Sequence, residues 1–255
     1  MRPSLCYTLW FTQRQGSSLL CELLASTGIA GTPGEIFWTE PEEHVPGYNT
    51  APDNAALQRA IFSKCGTPNG VAGFKGLTVR DHFTAWIDRM RQFPTVEHPN
   101  DPNPAVIWQE AFPNCRHIFL TRRNHIRLAV SWWKAIVSEE WHRRTGEECS
   151  YAPQAIAHRY DKDAIDHLMK EIAFREAAMQ DFFEQGRIRP LTLVYEDWIH
   201  DMSGTVRRIF EYLELPVDGL MVAPPVYQKL ADELTEEWVE RYRQETQASW
   251  SKVIW

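Results

Sequence analysis

The segment Phe11–Leu20, with the sequence FTQRQGSSLL, concentrates groups that can bind an anion. Gly16 allows the main chain to approach a ligand closely, and Ser17 and Ser18 add hydroxyl donors. Arg14 adds a planar cation whose paired N–H groups suit a phosphate or a sulfate. An ordinary helix cap beside a solvated arginine would use the same residue types, so the segment alone leaves both interpretations open.

Two further segments carry polar residues at positions where strands are predicted to end. Arg122 follows an apolar run, and Ser131 lies nine residues later on a predicted helix. An arginine at a strand end and a serine on the next helix can converge on one phosphate. Tyr195 ends another apolar run, where its ring could contact a base. Each of these residues also has an ordinary structural interpretation.

The elements that must position these residues follow from hydrophobic periodicity. Four short apolar runs predict buried strands: Leu5–Phe11, Gly70–Phe74, His117–Thr121 and Leu191–Tyr195. Helical spacing predicts five main helices: Ser17 to Thr27, Asn124 to Arg144, Asp163 to Gln185, one around Val206–Leu213, and Glu233 to Gln247. Strands that alternate with helices indicate an α/β fold with a mostly parallel central sheet flanked by helices. Ligands bind such sheets at the carboxyl ends of the strands, where the Phe11–Leu20 segment is expected.

The chain of 255 residues is 44% hydrophobic, which suits one domain spanning residues 1–255. Residues 33–68 contain several prolines and two asparagines and are predicted to be irregular, as a substrate loop or lid. We see no apolar run long enough for a membrane span, no signal peptide and no paired cysteine motif, and we expect a cytoplasmic protein. No cluster of metal-ligand residues is apparent, so no metal is expected.

The net charge of −7 argues against nucleic acid as a partner. The charge is uneven, however, because the segment Arg122–Arg144 carries six cationic and two acidic residues. A local basic patch of this kind could attract a small anionic ligand.

Taken in order, these motifs resemble the sulfotransferases that use 3′-phosphoadenosine 5′-phosphosulfate (PAPS), which have a P-loop-like fold. The similarity is greatest to the bacterial carbohydrate branch typified by trehalose 2-sulfotransferase, whose first turn reads Gln-Arg-Ser-Gly-Ser-Thr-Leu-Leu. The matching segments here are QRQGSSLL (Gln13–Leu20), TGIAGTPGEIF (Thr27–Phe37), TPNGVAGFK (Thr67–Lys75), AVSWWKA (Ala129–Ala135) and EEWVERYR (Glu236–Arg243). The chain departs from the commoner pattern at Gln15, Ser18 and Arg123.

The resemblance implies a role for each candidate residue. The first turn would hold the 5′-phosphosulfate through Gln13, Arg14, Gln15, Gly16, Ser17 and Ser18. The 3′-phosphate would be held by Arg122 and Ser131, with Lys229 as a looser match, and Tyr195 would contact adenine. Arg14 and Lys75 would stabilise the charge on the leaving group, and Glu35 would act as the general base. Other sulfotransferases use histidine, so His44 and His82 remain rival bases.

The predicted activity is therefore in-line transfer of a sulfuryl group from PAPS to a hydroxyl of a carbohydrate or glycolipid, with adenosine 3′,5′-bisphosphate as the product. A nucleotide-dependent kinase is the first alternative, although the P-loop pattern G-x-x-x-x-G-K-[ST] is absent. A non-catalytic nucleotide- or sugar-binding module is the second. Members of the branch that the chain resembles can form homodimers, and the aromatic tail Ser249–Trp255 could pack on a partner or on its own domain.

Overall fold

The computed structural model describes residues 2–37, 45, 49–76 and 80–247. Two features predicted from the sequence lie outside these residues, namely the rival base His44 and the tail Ser249–Trp255. Part of the predicted lid, residues 33–68, also lies outside them.

A four-stranded, wholly parallel sheet organises the chain, which confirms the predicted α/β fold. Its strands are β1 (Leu5–Trp10), β2 (Val71–Lys75), β3 (Cys115–Thr121) and β4 (Leu191–Val194), in the spatial order β2-β1-β3-β4. The predicted strands agree with these bounds to within two residues. Leu9 lies opposite Lys75 on one side and opposite Ile118 on the other. The turn that follows β1 therefore begins between the ends of β2 and β3.

The described residues also form ten helices. They are α1 (Ser17–Ser26), α2 (Asn54–Cys65), α3 (Arg80–Met90), α4 (Pro104–Ala111), α5 (His125–Ser138), α6 (Pro153–Ile156), α7 (Lys162–Gln185), α8 (Tyr195–Trp198), α9 (Met202–Leu213) and α10 (Glu233–Gln247), with a 3₁₀ turn at Ala157–Arg159. No helix of the described residues has both the length and the apolar character that crossing a bilayer requires.

Two sequence predictions about helices were wrong. Residues 33–68 are not irregular throughout, because α2 forms within them: the Asp53 side chain caps it by accepting from Ala56 N, and Leu57 and Ile61 are buried. The helix predicted from Asn124 to Arg144 ends at Ser138. Glu139 adopts a left-handed conformation with φ of 58°, which ends the helical hydrogen-bond pattern there.

The chain divides into two compact units. The sheet unit comprises Met1–Thr121 and Arg175–Pro224, and the helical unit comprises Arg122–Phe174 and Pro225–Trp255. The division leaves the predicted single domain untested, so that assignment stays a prediction.

Each unit has its own apolar core. In the sheet unit, side chains of β1 alternate between two clusters, with Cys6 and Trp10 in one and Tyr7 and Leu9 in the other. This alternation is that of a strand covered on both faces. In the helical unit, side chains from α5, α7 and α10 form a separate cluster around the fully buried Trp238.

Candidate active site

The turn between β1 and α1 has a conformation that few sequences tolerate. Arg14 has φ of 68° and Gly16 has φ of 83°, both in the left-handed region. A Cβ atom at Gly16 would lie 2.6 Å from Cζ2 of Trp198, so glycine is required by space as well as by φ. Gly16 therefore presents a main chain with no side chain at the N-terminus of α1. That helix has no acidic residue in its first turn, and helix N-termini favour anions.

Both glutamines of the turn are held by residues of α7. Gln15 is fully buried, and its amide accepts from Thr12 N at 2.8 Å and donates to Glu176 at 2.7 Å. Arg175 donates to the Gln13 side chain at 2.9 Å. Sequence reasoning did not find these two α7 residues, because no local pattern connects positions about 160 residues apart. The predicted contribution of Gln15 to ligand binding therefore concerns its main chain.

Lys75, Ser18 and Glu35 meet at the N-terminus of α1. The Lys75 ammonium donates to Ser18 Oγ at 3.2 Å, forms an ion pair with Glu35 and lies 4.9 Å from the centroid of the Phe11 ring. Lys75 is only 5% exposed, whereas the Glu35 side chain is 38% exposed. The cation is thus fixed inside the protein, and the carboxylate reaches toward solvent. Sequence reasoning assigned both residues to the site, and the structure places them in contact.

Local backbone pairing explains the contact between Lys75 and Glu35. Lys75 is the last residue of β2, beside the end of β1. Gly34 pairs with Phe74 in an isolated parallel bridge, and its carbonyl accepts from Lys75 N at 3.1 Å. The loop that leaves α1 therefore returns along the outer edge of β2, which places Glu35 beside Lys75.

Cys21, which lies one turn after Ser18 on α1, does not add a reactive group. Burial raises the pKa of its thiol to about 12, although the charge of Lys75 acts in the opposite direction. At neutral pH the thiol stays protonated and is a poor nucleophile. The ionic chemistry of this cluster therefore belongs to Lys75 and Glu35.

Tyr195 also lies against the turn. It follows β4 directly, and its ring is 5.7 Å from that of Trp198 in an edge-on arrangement. A Cβ atom built on Gly16 would lie 3.2 Å from Cδ2 of Tyr195. The sheet unit thus brings the Tyr195 ring to the turn, and its contact with adenine stays a prediction. Trp198 is a neighbouring residue that the sequence did not reveal.

The remaining nucleotide-binding candidates belong to the helical unit. Arg122 precedes α5, and Ser131 lies about two turns into that helix, as predicted. Lys229 is exposed, and its charge contributes to a lowered pKa of Glu236, after the larger effect of hydrogen bonds from Arg127. These three assignments stay predictions.

The predicted basic patch is partly neutralised by ion pairs within the helical unit. Arg127 pairs with Glu236, and Arg143 pairs with Glu140. The third pair, at 2.6 Å, joins Lys134 to Asp232. At least three of the six cations counted in the sequence therefore have carboxylate partners, so the field offered to a ligand is weaker than the local charge suggested.

Of the two rival bases predicted from the sequence, His82 lies within the described residues. His82 is half-buried, and its Nδ1 atom is buried without a hydrogen-bond partner. Within the described part of the chain, no three His, Cys, Asp or Glu side chains are grouped closely enough to hold a metal ion.

Comparisons with known proteins identify the family. Trehalose 2-sulfotransferases from Mycobacterium tuberculosis and Mycolicibacterium smegmatis are 26% and 25% identical to the chain. The alignments cover 94% of this chain in both cases, and 94% and 95% of those proteins. Among solved structures, a sulfotransferase from Alicyclobacillus acidocaldarius matches 96% of this chain and 93% of its own, with a TM-score of 0.49 and 15% identity. The model of the Stf0 sulphotransferase family matches residues 6–245. The chain therefore belongs to the Stf0 sulfotransferase family and is a sulfotransferase.

Proposed function

We propose that the chain transfers the sulfuryl group of PAPS to a hydroxyl of a carbohydrate or glycolipid acceptor. The observation that carries this proposal is the contact of Lys75 with both Ser18 and Glu35 at the N-terminus of α1. A buried cation, a hydroxyl and a helix N-terminus stand together with a carboxylate that reaches solvent. This arrangement offers anion binding and proton acceptance within one cluster.

The residues present fit the chemistry of PAPS. A phosphate and a sulfate need cationic and N–H donors. Arg14 and the start of α1 supply them from the turn, and Lys75 adds a second cation from the end of β2. The residues that would hold the donor are those of the Gln13–Ser18 turn for the 5′-phosphosulfate and Tyr195 for adenine. Arg122, Ser131 and Lys229 would hold the 3′-phosphate.

When bound, PAPS supplies the sulfuryl group together with a phosphate leaving group. Glu35 would accept the proton of the acceptor hydroxyl, so that the hydroxyl oxygen can attack the sulfuryl group. Lys75, Arg14 and the N-terminus of α1 would stabilise the negative charge that grows on the leaving phosphate oxygen. The enzyme needs no covalent intermediate, because alignment and charge stabilisation supply the acceleration.

The acceptor assignment draws on the relatives. Two proteins similar over 94% of the chain are named for sulfation of trehalose, a disaccharide. We therefore propose a free or lipid-linked sugar as the acceptor and trehalose as the first compound to test.

The decisive experiment supplies the purified protein with ³⁵S-labelled PAPS and a panel of acceptors that includes trehalose, other disaccharides and sugar-containing lipids. Transfer of label to one class of sugar is the expected result. Binding of adenosine 3′,5′-bisphosphate without transfer to any acceptor would favour the non-catalytic module. Magnesium-dependent transfer of phosphate from ATP would favour the kinase.

A further inference from the structure

The anion-binding turn depends on a residue far away in the sequence. Gln15 stands between two residues with left-handed φ, Arg14 and Gly16, and its side chain is fully buried. Its amide oxygen accepts from Thr12 N at 2.8 Å, which closes the turn on itself. The same amide can hold this orientation only if its NH₂ group finds an acceptor, because a buried donor without one is costly.

Glu176 on α7 is that acceptor. Its Oε1 atom accepts from the Gln15 amide at 2.7 Å and from the Thr121 hydroxyl at 2.9 Å. Thr121 is the last residue of β3, which pairs with β1. One carboxylate oxygen therefore ties the turn after β1 to the carboxyl end of the neighbouring strand. The preceding residue, Arg175, donates at 2.9 Å to the side chain of Gln13, which precedes Arg14 in the turn.

We propose that Glu176 is a positioning residue for the reaction. Through Gln15 it fixes the left-handed turn and thereby the direction of the main-chain N–H groups at the start of α1. This inference rests on the proposed function, since it assigns those N–H groups to the phosphosulfate of the donor. It also explains a departure from the commoner family pattern: a serine at position 15 is too short to span the same distance, whereas glutamine bonds to both Thr12 and Glu176.

Three substitutions test the hydrogen bond between Gln15 and Glu176. Glu176→Leu replaces the acceptor by an apolar side chain, and Glu176→Gln keeps the length of the side chain and one acceptor oxygen. Gln15→Ala removes the same hydrogen bond from the opposite side. Glu184→Leu is the matched control, because Glu184 is an exposed residue two turns further along α7.

Two measurements separate this inference from the proposed function. Hydrogen–deuterium exchange of the ligand-free protein reports on the turn whatever the donor is. We expect faster exchange in peptides covering residues 11–20 for Glu176→Leu and for Gln15→Ala, and unchanged exchange for Glu184→Leu. Calorimetric titration with adenosine 3′,5′-bisphosphate reports on the binding consequence. Failure of the wild-type protein to bind this nucleotide would count against the proposed function, while the exchange result would still test the role of Glu176.

The expected loss of affinity in Glu176→Leu is about 10- to 100-fold, the size expected for a lost hydrogen bond to a charged group. Glu176→Gln should lose clearly less. In the Gln15→Ala background, Glu176→Leu should add little, because the two residues act through one contact. The inference is overturned if Glu176→Leu leaves exchange and affinity unchanged, or if Glu176→Gln is as damaged as Glu176→Leu. If Glu176→Leu does not fold, unchanged exchange and affinity in Gln15→Ala overturn it instead.

Discussion

The most informative single substitution is Glu35→Gln. Glutamine keeps the size and polarity of the side chain, and its amide oxygen can still accept from the Lys75 ammonium. The Glu35 side chain is 38% exposed, but Lys75 is only 5% exposed, so the substitution removes the counter-charge of a buried cation and is expected to lower the folding stability. The amide oxygen of glutamine and the Ser18 hydroxyl, which accepts from Lys75 at 3.2 Å, limit this loss. The variant should therefore fold, with a lowered melting temperature.

The effect on the reaction should be far larger than the effect on stability. An amide cannot take a proton from the acceptor hydroxyl, and loss of a general base typically costs about 10²–10⁴-fold in rate. This corresponds to a rise of about 3–5 kcal/mol in the activation barrier. Affinity for adenosine 3′,5′-bisphosphate should be at least that of the wild type, because a negative charge beside the anion site has been removed.

The assay combines initial rates of ³⁵S transfer across pH with calorimetric titration of the bisphosphate. The wild type should show an acidic limb in its pH–rate profile, and the variant should lack it. Glu22→Gln is the matched control, since Glu22 is an exposed acid on α1. Turnover by Glu35→Gln within about threefold of wild type, on a scale where base loss costs 10²–10⁴-fold, would remove Glu35 from the mechanism. His82 would then be the next base to test among the described residues.

Four further predictions follow from the same structure. Lys75→Met should lower kcat about 10²–10³-fold, as loss of a preorganised transition-state donor does, and steady-state kinetics measure this. Arg122→Ala should weaken the binding of adenosine 3′,5′-bisphosphate by ~1.5–3 kcal/mol and leave the binding of adenosine 5′-monophosphate unchanged. Equal losses of binding free energy in calorimetry would contradict a 3′-phosphate role. Sulfuryl transfer should survive dialysis against a strong chelator, and recovery that requires Mg²⁺ would count against the proposed mechanism. Burial lowers the pKa of His117 from 6.5 to about 4. Between pH 6.5 and 4 the unfolded state binds a proton at this residue that the folded state does not. The free energy of unfolding is therefore unaffected by His117 above pH 6.5 and falls by roughly 3 kcal/mol as the pH falls toward 4. His117→Gln, which can still accept from Trp10, should accordingly show a flatter dependence of melting temperature on pH.

Local sequence was sufficient for the strands, the turn and five of the ten helices that the described residues form. Leu5–Phe11 reads as a buried strand because its neighbours on both faces must be apolar, and α1 begins at Ser17 as its spacing predicts. Among the helices that were not predicted, α2 was also within reach of local reasoning. Asp53 is a good N-cap, and Leu57 and Ile61 have helical spacing, but the surrounding prolines and asparagines obscured the pattern.

The composition of the candidate site was decided by tertiary structure. Lys75 reaches Ser18 across 57 positions because parallel strands end at the same edge of the sheet. The ion pairing of the basic segment likewise depends on tertiary structure. Glu236 on α10 pairs with Arg127, and Asp232 in the preceding loop pairs with Lys134. Propensity acts over a few residues, whereas the pairing of charges depends on which elements pack together. The sequence by itself therefore determined which residues could bind an anion. Only the packing of α7 against the end of the sheet decided that Glu176 holds Gln15, and with it the turn, in place.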